Sequence, residues 1–427
     1  MEITKLHTLF LECASVSTDT RKIVPNTMFF ALKGDNFNGN EYAEQALKKG
    51  AKYAVIDEKR FSETPNTILV NNVLKTIQDL ATFHRMYLKV PIIALTGSNG
   101  KTTTKELINA TLSKKHNTTA TLGNLNNHIG VPLTLLSMNN DTDIGIIEMG
   151  ANHLKEIEFL CNIAKPDYGY ITNFGKAHLE GFGSIEGVIK GKTELYDYLI
   201  ENNELIFVNG NDPIQVEKSS KAKAFTFGND PNHFNVALNF VEANPNVKVS
   251  YHNHIIQSHL IGAYNFSNIS AAIAIGNFFK VNDDDIKTAI EDYIPTNNRS
   301  QVIKKSSNQI ILDAYNANPT SMAAALMNFE KLSNKNKIVI LGDMFELGKE
   351  AAKEHQNITD LLISLKFQNI ILIGENFFKI KTTSPRIIKF RTFEDFKTTF
   401  KFSEIKDSTL LIKGSRGMAL ERTLDLL

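Results

Sequence analysis

A chain of 427 residues, of which 42% are hydrophobic and 22% charged, has the composition of a globular protein and the length of about three domains. A largely disordered chain is therefore excluded. The formal net charge is only +1, so the overall charge does not favour nucleic acid or an anionic membrane surface as a partner.

Cysteine content and hydropathy predict the compartment. Only Cys13 and Cys161 occur, so no disulfide framework is indicated and a reducing compartment fits. The first ten residues lack the apolar core of a signal peptide, and no apolar run approaches the ~20 residues that span a bilayer. We therefore expect a cytoplasmic protein without membrane insertion.

The first 88 residues alternate short strand-like runs with polar turns, which is typical of a small α/β domain. Apolar positions at helical spacing between 72 and 88 predict a helix that connects this domain to the next. The other predicted elements are strands at 27–32, 54–57 and 67–70 and a helix at 42–49.

Residues 89–295 form the predicted central domain, in which short apolar strands alternate with helical patterns. This alternation predicts a parallel sheet covered by helices. Between 224 and 260 the helical periodicity vanishes, and we expect a small antiparallel sheet appended to this domain. The predicted parallel strands are 92–95, 144–148, 168–172 and 205–208.

Residues 296–427 hold a third series of strands and helices, which predicts a C-terminal Rossmann-like α/β domain. The last strand runs through Lys413-Gly414-Ser415-Arg416 into a predicted C-terminal helix. The predicted strands are 310–312, 338–341, 370–373 and 410–412.

The strongest signal for function is the segment Thr96-Gly97-Ser98-Asn99-Gly100-Lys101-Thr102-Thr103-Thr104, which follows an apolar strand and opens a helix. Glycines allow the backbone N–H groups to wrap around phosphate oxygens, Lys101 adds a positive charge, and Thr102 is placed to bind Mg²⁺. The loop is the short form G-x-x-G-K-T. The alternative is a tight strand-to-helix turn with a surface lysine, which this context disfavours.

Two further residues could complete a nucleotide site. Glu148 ends an apolar strand, where a metal-binding carboxylate is expected, and His178 follows the end of the next strand. Lys190 and Lys192 lie on the helix after His178, and by themselves they are interpreted as surface lysines. Each has an ordinary alternative, since strand ends carry acidic residues, lone histidines are commonly structural, and helices expose lysines.

Together these residues resemble the Mur ligase family, the ATP-dependent amide ligases of peptidoglycan synthesis, and the resemblance covers essentially the whole chain. Two C-terminal segments distinguish one member of the family: Asp313-Ala314-Tyr315-Asn316-Ala317-Asn318-Pro319 and Leu341-Gly342-Asp343-Met344-Phe345-Glu346-Leu347-Gly348. The other matching segments are 96–105, 123–132, 148–150, 173–178, 265–272 and 413–416.

The resemblance implies roles for the residues around the phosphates. Lys101 and Thr102 would hold ATP phosphates and one Mg²⁺, Glu148 would bind that ion, and His178 a second. Lys192 matches a lysine that the family carbamylates with CO₂, and Lys190 is the alternative if the register differs.

The resemblance also implies nucleotide and substrate contacts. Asn265 and Asn268 would lie near the adenine, while Arg299 and Asp313 would reach the phosphates and ribose. Thr20 and Arg21, with the loop 37–39, match the region that holds the uridine nucleotide. The remaining implied substrate residues are Asn124, Asn126, Asn127, Asn316 and Asn318.

Two departures from the family pattern weaken individual assignments. The turn usually written Pro-Gly-Arg is Asn297-Asn298-Arg299 here, which affects the position of Arg299. The loop often written Asp-Gly-His is Asn38-Gly39-Asn40, which affects the uridine contacts.

The implied reaction joins D-alanyl-D-alanine to UDP-N-acetylmuramoyl-tripeptide through an acyl phosphate, with ATP converted to ADP and phosphate. We expect a monomer whose partners are these small molecules. Three alternatives stay open: another amino-acid-adding ligase of the family, the related folylpolyglutamate synthetase, and a nucleotide switch that ligates nothing. The Asp-Asn-Pro-Arg motif of the diaminopimelate-adding member is absent from the sequence.

Overall fold

The computed structural model describes residues 1–295, 298–334, 336–365 and 367–427. Three main sheets follow one another along the chain, each flanked by helices. We call the residues around them the N-terminal, middle and C-terminal domains. The predicted three-domain α/β fold is confirmed. No helix of the described residues is long and apolar enough to span a membrane.

The N-terminal domain is built on a four-stranded parallel sheet with the order β1-β2-β5-β6, and β3 and β4 form a separate two-stranded ribbon. The predicted elements are confirmed with small shifts at their ends. The helices are α1 (Ile3–Leu11), α2 (Ala43–Lys48) and α3 (Val73–Leu88), and the strands are β1 (Ser15–Ser17), β2 (Thr27–Phe30), β3 (Lys33–Gly34), β4 (Phe37–Asn38), β5 (Ala51–Ile56) and β6 (Thr67–Leu69).

The middle domain contains a nine-stranded sheet with the order β15-β14-β13-β12-β11-β10-β7-β9-β8. Its strands are β7 (Ile92–Thr96), β8 (Thr118–Ala120), β9 (Ile144–Glu148), β10 (Tyr168–Ile171), β11 (Leu205–Asn209), β12 (Lys223–Gly228), β13 (Val236–Ala243), β14 (Asn246–Tyr251) and β15 (His254–Ile261). Its helices are α4 (Lys101–Leu112), α5 (Gly130–Leu136), α6 (Glu156–Ala164), α7 (Leu179–Phe182), α8 (Ile185–Glu201), α9 (Pro213–Lys218), α10 (Asn265–Phe278) and α11 (Asp283–Asp292).

The four predicted parallel strands of this domain are confirmed, and β7 and β9 are buried along their whole length. Such continuous burial is expected for strands that have helices on both faces. The predicted antiparallel strands also exist as β13, β14 and β15. They do not form a separate sheet, however, because β13 pairs in parallel with β12 and so continues the central sheet.

The C-terminal domain has a six-stranded sheet with the order β16-β17-β21-β18-β19-β20, in which only β16 is antiparallel to its neighbour. Its strands are β16 (Gln301–Lys305), β17 (Asn308–Asp313), β18 (Lys337–Gly342), β19 (Asn369–Ile373), β20 (Ile387–Phe390) and β21 (Thr409–Lys413). Its helices are α12 (Pro319–Lys331), α13 (Ala351–Ser364), α14 (Glu375–Lys379) and α15 (Phe393–Thr399).

The end of the chain refines one prediction. The four predicted strands of this domain are present, and the predicted C-terminal helix is present as two 3₁₀ segments, Arg416–Met418 and Leu420–Leu426, rather than as one continuous helix. Ala419 between them has a left-handed backbone (φ 48°), which interrupts a continuous helix.

Candidate active site

A cavity of ≈ 960 Å³ lies between the middle and C-terminal domains, at the carboxyl ends of β7, β9 and β10. Ligands of open parallel sheets bind at this edge, where helix N-termini and strand ends converge. The predicted site residues that line the cavity are Ser98, Asn99, Gly100, Lys101, Thr102, Thr103, Asn124, Asn126, Asn127, Glu148, His178, Asn265, Asn268, Arg299, Asp313, Asn316 and Asn318.

The phosphate loop needs glycine at two positions. Gly97 and Gly100 have φ values of 144° and 78°, in the region that favours glycine. A Cβ at Gly97 would overlap Thr172, and one at Gly100 would lie 2.6 Å from the Asn268 side chain. Helix α4 begins directly after the loop at Lys101, so its free N–H groups face the cavity, as anion binding requires.

The phosphate loop is fastened to the segment that follows β10. Ser98 Oγ donates to the Gly175 carbonyl (3.0 Å) and accepts from the Gly175 N–H (2.9 Å). The Asn99 N–H donates to Asn173 Oδ1 (3.0 Å), and Thr172 Oγ1 donates to the Asn99 carbonyl (2.6 Å). The shape of the phosphate loop therefore depends on the position of residues 172–175.

Lys101 folds back over its own loop, where its Nζ donates to the Gly97 carbonyl (2.7 Å). Burial lowers the pKa of Lys101 and the nearby Arg299 lowers it further, while the charge of Glu148 opposes both. A lysine in this position provides a cation that is poorly solvated, so it interacts strongly with an entering anion.

Glu148 is a buried carboxylate that no cation neutralises directly. Its Oε2 accepts from Thr102 Oγ1 (2.7 Å) and its Oε1 from Asn126 Nδ2 (2.8 Å). No Lys, Arg or His of the described residues forms an ion pair with it. A carboxylate beside a hydroxyl at the start of a phosphate-binding helix is a donor set suited to Mg²⁺.

The protein provides only part of a metal site. The described residues contain no group of three or more His, Cys, Asp and Glu side chains that could hold an ion. Mg²⁺ in nucleotide sites commonly has one or two carboxylates and takes its other ligands from phosphates and water. The residues present therefore fit an ion that arrives with a nucleotide.

His178 meets a residue of the C-terminal domain that the sequence had not singled out. Its Nδ1 lies 2.6 Å from Glu346 Oε2, although the angle does not make a regular hydrogen bond, and Nδ1 has no other partner in the part of the chain that the structure describes. The contact with His178 lowers the pKa of Glu346. Both His178 and Glu346 have left-handed backbones, with φ values of 52° and 60°.

The two candidate lysines of α8 have different environments. Lys190 is exposed, whereas Lys192 is fully buried, with its Nζ donating to the Ala151 carbonyl (3.1 Å) and lying 5.1 Å from the centre of the Phe182 ring. Burial, and next the charge of Lys101, hold the pKa of Lys192 well below its usual range. Lys192 therefore lies in an environment that disfavours its charged form, beside Ala151, which lines the cavity.

Asn265 and Asn268 form one buried pair at the start of α10. Asn268 Nδ2 donates to Asn265 Oδ1 (2.8 Å), and Asn265 Nδ2 donates to the Ile261 carbonyl (2.8 Å). Thr104 Oγ1 of α4 donates to Asn268 Oδ1 (3.1 Å). The pair is thus fixed against the helix that carries the phosphate loop.

On the opposite wall, Arg299 stacks on the Tyr315 ring, with 3.7 Å from the guanidinium carbon to the ring centre. Its buried Nε has no hydrogen-bond partner among the described residues. Asp313 Oδ1 accepts from the Ser300 N–H (3.1 Å), and its Oδ2 pairs with Lys413 Nζ (2.6 Å). Arg299 is therefore oriented at the cavity wall, and no carboxylate in the described part of the chain pairs with it. Of the unusual turn before it, Asn297 lies outside the described residues.

The polar side chains of Asn124, Asn126, Asn127 and Asn316 line the cavity between these walls. Asn318 caps α12 and also reaches the phosphate loop, where its Nδ2 donates to Asn99 Oδ1 (2.8 Å).

The predicted uridine residues do not lie at this cavity, whose described lining begins at Ser98. Arg21 is exposed and paired with Asp19 (2.8 Å), and the Thr20 carbonyl accepts from Lys49. In the loop 37–40, Asn40 is fully buried and its side chain binds the backbone and carboxylate of Asp57. Asn40 therefore holds the loop against β5.

Three residues that contact predicted site residues were not themselves predicted: Glu346, which contacts His178; Lys413, which pairs with Asp313; and Tyr315, which supports Arg299. All three lie in segments that carry the family resemblance, which was the only sequence signal for them. Their partners are between 16 and 168 positions away in the chain, so no local pattern could predict the contacts.

Comparisons with known families agree with this architecture. The model described as "Mur ligase family, catalytic domain" matches residues 12–94, "Mur ligase middle domain" matches 95–276, and "Mur ligase, glutamate ligase domain" matches 298–416. Together these three matches cover most of the chain in the order of its three sheets.

Similar proteins and structures match nearly the full length. A UDP-N-acetylmuramoyl-tripeptide–D-alanyl-D-alanine ligase from Bacillus subtilis is 33% identical, and the match covers 95% of this chain and 91% of the relative. The enzyme of the same name from Escherichia coli is also 33% identical, and the match covers 96% of this chain and 92% of the relative. A crystal structure of MurF from Acinetobacter baumannii superposes with a TM-score of 0.87, at 27% identity, over 99% of this chain and 98% of its own. The chain belongs to the Mur ligase family.

Proposed function

We propose that this chain joins D-alanyl-D-alanine to UDP-N-acetylmuramoyl-tripeptide, the reaction for which its relatives are named, in the synthesis of peptidoglycan precursors. ATP activates the tripeptide carboxylate as an acyl phosphate, and the dipeptide amine then displaces phosphate. The observation that carries the proposal is the buried Thr102–Glu148 pair at the start of α4, beside Lys101 and opposite Arg299 in one cavity.

The chemistry requires positive charge at this position. Bringing a carboxylate within ~4 Å of the γ-phosphate costs roughly 4 kcal/mol for two unit charges at an effective dielectric near 20. Lys101 and the free N–H groups of α4 offset this repulsion on one side, and Arg299 does so on the other. Because these groups are held by the fold, they need little reorganisation during phosphoryl transfer.

Thr102 and Glu148 are the residues that would hold one Mg²⁺, and His178 would contribute to a second ion. When bound, Mg²⁺ supplies Lewis-acid neutralisation of the phosphate oxygens. Within the protein, Asn126 orients the Glu148 carboxylate from the side away from Thr102. Glu346 limits the orientations open to the His178 ring.

Lys192 is the proposed site of carbamylation. Its neutral amine could add CO₂ to form a carbamate with loss of one proton, because only an unprotonated amine has the required lone pair. Burial supports the neutral form, and the exposed position of Lys190 disfavours the alternative. The resulting anion would offset the positive charge of Lys101 nearby.

Each domain has a separate binding role in this proposal. Residues 1–88 hold the uridine nucleotide through Thr20, Arg21 and the loop 37–39. Residues 89–295 bind the ATP phosphates, with Asn265 and Asn268 near the adenine. Residues 296–427 close over the nucleotide with Arg299 and Asp313, while the cavity asparagines contact substrate. The monomeric state and the cytoplasmic location remain predictions from the sequence.

Phosphate release with a panel of acceptors tests the function. With UDP-N-acetylmuramoyl-tripeptide and ATP, we expect release to require D-alanyl-D-alanine and not to occur with single amino acids. Release with glutamate and a folate, but not with the dipeptide, would overturn the assignment. Release that needs no amine acceptor would favour a nucleotide switch.

A further inference from the structure

The segment after β10, residues 173–180, connects the phosphate loop to the C-terminal domain. On one side it fixes Ser98 and Asn99 through the hydrogen bonds of Asn173 and Gly175. On the other side its residues contact α12, α13 and the loop after β18. We call residues 173–180 the bridging segment.

Lys176 makes two of these contacts with the C-terminal domain. Its backbone N–H donates to Thr320 Oγ1 (2.9 Å), in the first turn of α12. Its Nζ forms an ion pair with Glu354 Oε1 (2.7 Å), on α13. Lys176 is adjacent to Gly175, which binds Ser98, so a displacement of Lys176 is transmitted to the phosphate loop through one peptide unit.

Glu354 depends on this pair for charge compensation. Its side chain is 5% exposed, and Lys176 is the only Lys, Arg or His within ion-pair distance among the described residues. Its other side-chain contact is with Asn357 Nδ2 (3.4 Å), in its own helix. Separation of the domains would remove the cation and leave the carboxylate to be resolvated.

We propose that Lys176 and Glu354 form a latch that favours closure of the C-terminal domain and thereby sets the geometry of the phosphate loop. Both act as positioning residues, because neither lines the cavity. The effect on nucleotide affinity rests on the proposed ATP-dependent function, whereas the effect on domain closure does not.

Binding of ADP, measured by calorimetry, tests the first effect. For Lys176→Met and Glu354→Gln we expect the Kd to rise roughly 3- to 10-fold, as suits a pair with one half-exposed partner. The double variant should have a Kd for ADP no higher than that of the single variant that binds ADP less tightly, since both changes remove the same contact. The charge swap Lys176→Glu with Glu354→Lys should recover part of the affinity.

Lys353→Met is the matched control, because Lys353 is an exposed lysine next to Glu354 on α13 and, among the described residues, pairs only with Glu350. We expect it to bind ADP like the wild type. In turnover assays, the latch variants should show a raised KM for ATP, with kcat at saturating ATP within about twofold of wild type, because bound nucleotide restores closure.

Small-angle scattering without ligands tests closure directly. We expect Lys176→Met and Glu354→Gln to have a larger radius of gyration than the wild type and Lys353→Met. Equal radii, or losses in ADP affinity that add in the double variant, would overturn the latch. If the wild type fails to bind ADP, the proposed function is wrong, and scattering still decides whether the latch exists.

Discussion

At the scale of single residues, the environment of each lysine determines its chemistry. Three lysines near the site have different surroundings, although the residue type is the same. Lys101 lies over the phosphate loop, Lys190 is exposed, and Lys192, only two positions further along the chain, is fully buried. We therefore propose different roles for these amines: a cation for phosphate at Lys101, a solubilising group at Lys190 and a nucleophile for CO₂ at Lys192.

Lys101→Ala should lower the turnover of ATP-dependent ligation by at least ~100-fold, the usual effect of removing a group that stabilises developing charge. Steady-state phosphate release checks this. The control is Lys115→Ala, which removes a more exposed lysine just beyond α4 and should leave turnover unchanged. Near wild-type turnover in Lys101→Ala would contradict the assigned role of the phosphate loop.

Lys192→Ala should be nearly inactive and should regain part of its activity with formate or acetate, whose carboxylates can occupy the place of a carbamate. Lys190→Ala provides the control and should stay within about twofold of wild type, because its side chain is exposed. Turnover by Lys192→Ala without any added acid at the wild-type rate would exclude the carbamate.

At the scale of helices and strands, a buried histidine pair joins the N-terminal and middle domains. His7 of α1 and His84 of α3 share a 3.0 Å hydrogen bond, and His84 Nε2 lies 2.9 Å from the Met138 carbonyl. A carbonyl only accepts, so His84 Nε2 carries the proton and its Nδ1 accepts from His7. The chain of hydrogen bonds therefore needs His84 to be neutral.

This pair predicts a loss of stability in acid. Burial lowers the pKa of both histidines below 6.5, with the charge of His84 adding to the effect on His7. As the pH falls below about 6.5, the unfolded chain binds protons that the folded chain does not, so the free energy of unfolding decreases by up to ~1.4 kcal/mol per pH unit for each histidine.

Urea unfolding at several pH values measures the slope. His84→Gln should reduce the pH dependence of the free energy of unfolding between pH 6.5 and the lowered pKa values. His259→Gln, which changes an exposed histidine on β15, should leave that pH dependence as it is in the wild type. Equal slopes in wild type and His84→Gln would show that the pair does not titrate in this way.

At the scale of the whole molecule, the site is complete only when two domains meet. The phosphate loop, Glu148 and His178 come from the middle domain, while Arg299, Asp313 and Glu346 come from the C-terminal domain. In the proposed reaction, we expect closure to exclude water from the cavity and so to protect the acyl phosphate from hydrolysis. We expect scattering to show compaction when nucleotide and tripeptide substrate are both present, and an unchanged radius of gyration would count against this.

The fact that the site is shared by two domains also explains which of its features could be predicted from the sequence. Glu148 ends an apolar strand, and Lys101 follows another after the phosphate loop. The local sequence pattern alone therefore predicted that both lie at one edge of the sheet. The contact between His178 and Glu346 joins loops that only the folded chain brings together. Lys190 and Lys192 could not be separated by pattern, because burial on α8 depends on Phe182 and Ala151 packing against it. The sequence predicted a helix at the end of the chain, but neither its 3₁₀ form nor its interruption at Ala419.

An isotope experiment tests the acyl phosphate route most directly. UDP-N-acetylmuramoyl-tripeptide with ¹⁸O in the reacting carboxylate is incubated with ATP, D-alanyl-D-alanine and the wild-type protein, and the released phosphate is analysed by mass spectrometry. Phosphoryl transfer to the carboxylate followed by amine attack leaves one carboxylate oxygen on phosphate. We therefore predict one ¹⁸O atom in each phosphate from doubly labelled substrate, whereas ligation that releases unlabelled phosphate would contradict the account.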